Sequence, residues 1–245
     1  MTRVLLIGGS DSSGGAGLTR DVSTLTRLGA EGLPVVTAVT AQTDAQVLAV
    51  HVVPASVVHT QIAAALSGKP LDAVKIGMLA TRATVLAVAT ALAAARLPIV
   101  LDPVLVSSSG AELLDAAGRE ALCTALLPRA TVLTPNIPEA AALLGTGTAS
   151  AEEQLLRQAA ALLALGPAAV LLKGGHAEGP EATDLLLTRD AAARWLRGPR
   201  IDAARRGTGC TLAAAIAAGL GAGLEIGTAC ERARQQVRRR LRDPA

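Results

Sequence analysis

The chain has 245 residues, of which 51% are hydrophobic and 18% charged, with a formal net charge of +3. That balance excludes a disordered or collagen-like chain, because the apolar surface available is ample to offset the entropy of ordering. The apolar run 83–95 is stopped by Arg82 and Arg96, short of the roughly 20 residues a membrane helix needs, and with one Trp, no Phe and no Tyr nothing can stack successive bases.

Six arginines between positions 232 and 242 carry much of the positive excess and read as the solvated face of a last helix. Three cysteines, an odd number, in a chain whose Met1 to Arg3 lead straight into an apolar strand point to a reducing cytoplasm. The length accommodates one α/β domain over residues 1–245.

In chain order, an apolar strand at 4–9 runs into a Gly/Ser cluster, and Gly17 opens a helix with Leu18, Val22, Leu25 and Leu28 at helical spacing, ended by Gly29. Two strands, 33–41 and 47–53, flank a polar break at 42–46. Helix 56–66, strand 73–77, helix 84–95 and strand 98–102 follow. Then come helix 112–126, strand 131–134, helices 138–144 and 151–165, and strand 168–172. An antiparallel hairpin at 183–188 and 193–196 precedes two closing helices, 208–220 and 225–241. Short buried strands alternating with helices predict a mostly parallel sheet covered on both faces.

In such sheets ligands bind beyond the carboxyl ends of the strands, so the loops after the strands are the candidates for chemistry. The run Gly8-Gly9-Ser10-Asp11-Ser12-Ser13-Gly14-Gly15-Ala16-Gly17 permits close backbone approach to a ligand, the alternative being a tight strand-to-helix turn without one. Asp102, Asn136 and Glu139 follow two strand ends and suit water-mediated Mg²⁺ binding; singly, Asp102 or Asn136 could be a helix cap. Lys173 enters the turn Gly174-Gly175-His176 and suits a phosphate. Small residues from Gly207 through Thr208 and Gly209 to Cys210, at a helix start, leave N–H groups aimed at one point, and the helix dipole there is expected to lower the Cys210 pKa.

Taken together and in order, these motifs resemble the hydroxymethylpyrimidine/phosphomethylpyrimidine kinases of thiamine biosynthesis, within the ribokinase-like superfamily. The resemblance is carried by Gly9 to Gly17 with Asp21, Thr40-Ala41-Gln42, Lys75-Ile76-Gly77-Met78-Leu79, Asp102-Pro103-Val104, Thr134-Pro135-Asn136 with Glu139, Lys173-Gly174-Gly175-His176 and Gly207-Thr208-Gly209-Cys210. It implies a three-layer α/β sandwich and Mg-ATP-dependent phosphorylation of 4-amino-5-hydroxymethyl-2-methylpyrimidine, then of its monophosphate. It implies further that Gly9, Asp21, Gln42, Met78 and Val104 surround the pyrimidine. Asn136, Glu139, Lys173 and Thr208 would serve the nucleotide, Asp102 and Glu139 the metal, and Gly207 to Cys210 with Lys173 the transferring phosphoryl group. Relatives are commonly homodimers, and the apolar stretch 47–53 offers an edge contact.

Arg206 stands where the family usually has His, and Thr43-Asp44 where it has Asn-Thr. Arg206 reads either as solvated surface or as a contact to a nucleotide phosphate or base. A pyridoxal kinase sharing the ATP half is the near alternative, and a non-catalytic nucleotide- or vitamin-binding protein the distant one.

Overall fold

The computed structural model describes residues 1–107, 109–174, 179–203 and 205–242; Ser108 and the Gly175-His176 part of the lysine turn lie outside the described residues. The strands are β1 (Arg3–Asp11), β2 (Glu31–Gln42), β3 (Val47–Val52), β4 (Ala73–Ile76), β5 (Ile99–Leu101), β6 (Val132–Leu133), β7 (Ala169–Leu172), β8 (Glu181–Thr188) and β9 (Arg194–Pro199). The helices are α1 (Gly17–Arg27), α2 (Ala55–Leu66), α3 (Arg82–Ala91), α4 (Ala116–Ala121), α5 (Ile137–Leu144), α6 (Glu152–Ala164), α7 (Thr208–Gly221) and α8 (Ile226–Arg242).

The nine strands among the described residues form one sheet in the order β3-β2-β1-β4-β5-β6-β7-β8-β9. The six from β2 to β7 pair in parallel through β1, β4, β5 and β6, while β3 at one edge and β8 and β9 at the other are antiparallel. Strand β1 lies between β2 and β4, and its Val4, Leu5, Leu6 and Ile7 are wholly buried, as a continuous apolar run with both faces covered should be. Each contributes roughly 1.5–3 kcal/mol of burial.

Alternate side chains of β1 feed two cores. Leu5 and Ile7 join Val58 and Ile62 of α2, Val85 and Val88 of α3 and Leu162 of α6; Val4 and Leu6 join Leu18 and Leu25 of α1, residues 212–218 of α7 and Ala229 and Cys230 of α8. The expected layers are present.

Two predicted helices are shorter than their patterns; α3 ends at Ala91, with Leu92 as its C-cap, instead of reaching 95. The segment predicted as helix from 112 begins as α4 at Ala116, because Leu113 N donates to Leu105 O at 2.8 Å, Leu114 bridges Ala80, and Asp115 caps the helix through Gly118 N. It then passes through a wider π turn, Leu122–Leu126.

Candidate active site

Helix α1 buries Leu18, Asp21 and Leu25 on one stripe, an i, i+3, i+7 spacing that carries a carboxylate into an otherwise apolar face. Asp21 is fully buried, and its Oδ2 accepts from Lys75 Nζ of β4 at 2.7 Å, with Lys75 1% exposed. Among the described residues Asp21 Oδ1 has no hydrogen-bond partner. Burial raises the Asp21 carboxyl to about 6 against the pull of Lys75, so it is ionised at neutral pH. Nearby Asp21, Cys210 and Asp102 outweigh the effect of burial on Lys75 and hold that ammonium above its ordinary range.

A second charged cluster gathers at the ends of β5, β6 and β7. Lys173 Nζ lies 2.8 Å from Asp102 Oδ1 and 3.9 Å from Glu139 Oε2, and Thr134 Oγ1 donates to the same Asp102 oxygen at 3.0 Å. Burial opposes the Asp102 charge, but Lys173 and Lys75 together hold its carboxyl below the usual range. Glu139 is pushed by burial, and by the neighbouring Asp102 charge, up to about 7. Asp102 and Glu139 likewise keep Lys173 above its ordinary value despite burial. Asn136 caps α5: its Oδ1 accepts from Glu139 N and its N donates to Glu139 Oε2, both at 2.7 Å. The cap and the metal-side carboxylate are therefore one device.

Helix α7 starts against this cluster. Its first intrahelical bond is Thr211 N to Gly207 O at 2.9 Å, leaving the N–H groups of Thr208, Gly209 and Cys210 ahead of the ladder. A methyl group on Gly209 would lie 3.4 Å from Lys173 Nζ and 3.5 Å from Asp102 Oδ2, which places the ammonium and the free helix terminus around one point. Gly207 has φ +76°, and a Cβ there would sit 2.3 Å from Gly15 O, so the helix start and the Gly-rich loop touch backbone to backbone.

Cys210 is part-buried, and its expected acidification is absent. Burial pushes the thiol up to about 11; Lys75 and the Gly17 N–H draw it down, but Asp21 and Asp102 add to the rise. Enclosure beside two carboxylates outweighs the helix dipole.

The acceptor side is made by β1, β2 and the residues after β4. A Cβ on Gly9 would meet Met78 Sδ at 2.8 Å, and Thr37 Oγ1 donates to Met78 O at 2.6 Å, fixing Met78 over the glycine. Gln42 closes β2; its N donates to Ser12 Oγ at 2.9 Å, and its Oε1 accepts from Thr40 Oγ1 at 3.3 Å. Val104 N donates to Asp102 O at 2.9 Å in the turn after β5.

Arg206 corrects the reading of solvated surface. Its side chain is only 16% exposed; Nη2 pairs with Asp11 Oδ2 at 3.0 Å, and Nη1 donates to Ser13 Oγ at 2.8 Å and Thr43 O at 3.0 Å. The guanidinium joins the Gly-rich loop to the loop after Gln42. Asp11, whose Oδ1 also accepts from Ser13 N and whose Oδ2 accepts from Ala16 N, organises that loop and was missed in the sequence. Lys75 as the Asp21 partner was missed as well. Both pairings join residues far apart in the chain, with no local spacing to signal them.

The family model described as phosphomethylpyrimidine kinase matches residues 11–245. The chain belongs to that family. A hydroxymethylpyrimidine/phosphomethylpyrimidine kinase of Rhizobium meliloti is 46% identical to this phosphomethylpyrimidine kinase family member over 218 residues, covering 88% of this chain and 82% of the relative. Among solved structures, a phosphomethylpyrimidine kinase of Clostridium difficile superposes with TM-score 0.86 at 35% identity, covering 98% of this chain and all of that one. A pyridoxal kinase of Staphylococcus aureus in complex with AMP-PCP and pyridoxal superposes with TM-score 0.88 at 30% identity, covering 97% and 87% of the two chains. The fold is ribokinase-like and the chain is a kinase.

Proposed function

We propose that this kinase transfers the γ-phosphoryl group of ATP to the hydroxymethyl oxygen of 4-amino-5-hydroxymethyl-2-methylpyrimidine, and then to the resulting monophosphate, in thiamine biosynthesis. The observation that carries the reading is the meeting of Lys173 with the unladdered N–H groups of Thr208, Gly209 and Cys210. A fixed cation and a helix N-terminus aimed at one point stabilise charge on a transferring phosphoryl group.

On the acceptor side, the unpartnered buried Asp21 Oδ1 supports a role for this carboxylate, since it lacks a donor that an exocyclic amine would supply. Gln42 can offer both donor and acceptor to a ring edge, with Gly9, Met78 and Val104 supplying the apolar walls.

Asp102 and Glu139 fit Mg²⁺: both are hard oxygen donors, and that ion takes one or two carboxylates with water and substrate phosphates completing its shell. When bound it neutralises phosphate charge. Asn136 keeps Glu139 in place, Thr134 orients Asp102, and Lys173 adds its ammonium to the same charge. As the bond from the hydroxymethyl oxygen to the γ-phosphorus forms, the bridging bond to the β-phosphate breaks, with ADP leaving and the hydroxyl proton released. A largely dissociative transfer requires little early deprotonation. Cys210 then contributes its backbone N–H more than its thiol.

The chain is further proposed to act as a cytoplasmic homodimer. Free Cys123, Cys210 and Cys230 suit a reducing compartment, and Val39, Leu48 and Val50 expose apolar surface at the β2–β3 edge, with Leu48 62% accessible. Among the described residues no helix is long and apolar enough to cross a membrane. Light scattering at micromolar concentration should give twice the chain mass; the monomer mass would remove this part of the reading.

The pyridoxal reading is favoured only by the shared fold of the Staphylococcus aureus pyridoxal kinase. ADP release measured with hydroxymethylpyrimidine, its monophosphate and pyridoxal separates them: both pyrimidines should turn over more efficiently than pyridoxal.

A further inference from the structure

We infer a second anion site in a cleft between α1 and α8, outside the phosphoryl-transfer region, that takes a phosphate dianion, either free or as the head of a small phosphomonoester. The cleft, about 80 Å³ in volume, is lined by Arg20 and Arg27 of α1 and Arg239 and Arg240 of α8, with Ser23 and Gln236 among the polar groups between them. Among the described residues no carboxylate lines it. Its size admits a tetrahedral oxyanion.

Four guanidiniums in one concavity repel each other, and the repulsion cannot be relieved by losing a proton because arginine stays charged. Burial, and then the proximity of Arg20, Arg205 and Arg27, outweigh the opposing effect of Cys210 and hold Arg240 below the usual guanidinium range. Independently, Arg240 Nε is buried without a hydrogen-bond partner among the described residues, a rare condition for a charged donor. A doubly charged oxyanion answers both, offering acceptors to several forked donors at once.

The inner arginines also grip the active-site loops. Arg20 Nη2 donates to Gly14 O at 3.1 Å, and Arg240 Nη2 donates to Arg206 O at 2.9 Å. The site therefore sits directly behind the turn that Arg206 fastens.

The test is calorimetric titration of inorganic phosphate, and separately of glycerol phosphate, into the protein saturated with Mg-AMP-PCP, in chloride buffer at constant ionic strength. Saturable binding of either, with a Kd of about 1 mM or tighter, is expected. The double substitution Arg27→Gln with Arg239→Gln, which leaves the loop contacts of Arg20 and Arg240 intact, should weaken it at least about tenfold. In chloride alone the same variant should keep or raise its Tm, because like-charge repulsion is removed. Binding of glycerol phosphate as well as phosphate identifies an open site; phosphate alone identifies an enclosed one. Absence of saturable binding by both ligands overturns the inference, as does binding that the double substitution leaves unchanged, or a Tm in chloride that falls.

Discussion

A thiol held at about 11 is thiolate in about one part in 10⁴ at pH 7, which argues against Cys210 as the base that starts the reaction. If the thiolate were required, the rate would climb about tenfold per pH unit up to that value. Glu139, raised to about 7, gives a different profile, since its carboxylate form must be present to hold Mg²⁺. kcat/KM for ATP should therefore rise through pH 7 and level off by about pH 8, and Glu139→Gln should flatten the rise; a continuing climb to pH 10 would reinstate the thiolate. Stability follows the opposite sign. The folded-state pKa of Glu139 exceeds its unfolded value, so the folded protein binds the extra proton between pH 4.5 and about 7, and this residue's contribution declines as pH rises through that window. Lys173→Met should lower kcat by roughly 10²–10³-fold, the usual effect of removing one preorganised electrostatic contact. Gln42→Leu should cut kcat/KM for the pyrimidine about 10²-fold with KM for ATP nearly unchanged, because a desolvated ring group left unpaired costs about 1–3 kcal/mol.

At the scale of elements, the strap made by Arg206 joins three pieces of chain: the start of α7, the Gly-rich loop through Asp11 and Ser13, and the loop after β2 through Thr43. Arg206→Ala removes the partner of a buried carboxylate and frees the loop that follows Gln42. Steady-state kinetics should show KM for the pyrimidine rising at least about tenfold, a shift of about 1.4 kcal/mol in binding, and more than KM for ATP. An equal rise for both substrates would place Arg206 at the nucleotide instead. Gly207→Ala forces a side chain into a left-handed turn and against Gly15 O, so its Tm should drop, with the loss falling on the α7 start. The elements themselves were legible wherever period and punctuation agreed: the closing helices were read within a residue or two of their observed ends, as was α5 with its Asn136 cap. The segment before α4 misled because Leu113 and Leu114 fit a helical stripe, yet their backbones pair with Leu105 and Ala80.

Across the whole molecule, the alternation of buried strands and helices announced the parallel sheet, and the polar loops after β1, β5, β6 and β7 announced where chemistry would gather. Distance in the chain hid the rest. Lys75 was visible as part of a motif, but its pairing with Asp21 spans 54 residues, and that of Arg206 with Asp11 spans 195. The sheet brings these partners together because β1 and β4 are adjacent and α1 and α7 pack on the same face. The central claim is that this architecture serves a pyrimidine acceptor twice over with one phosphoryl site. Its most direct test is steady-state ADP release with Mg-ATP and, in turn, hydroxymethylpyrimidine, its monophosphate and pyridoxal. Both pyrimidines should be phosphorylated, each with a higher kcat/KM than pyridoxal, and Gln42→Leu should depress both; efficient turnover of pyridoxal with neither pyrimidine accepted would contradict the account.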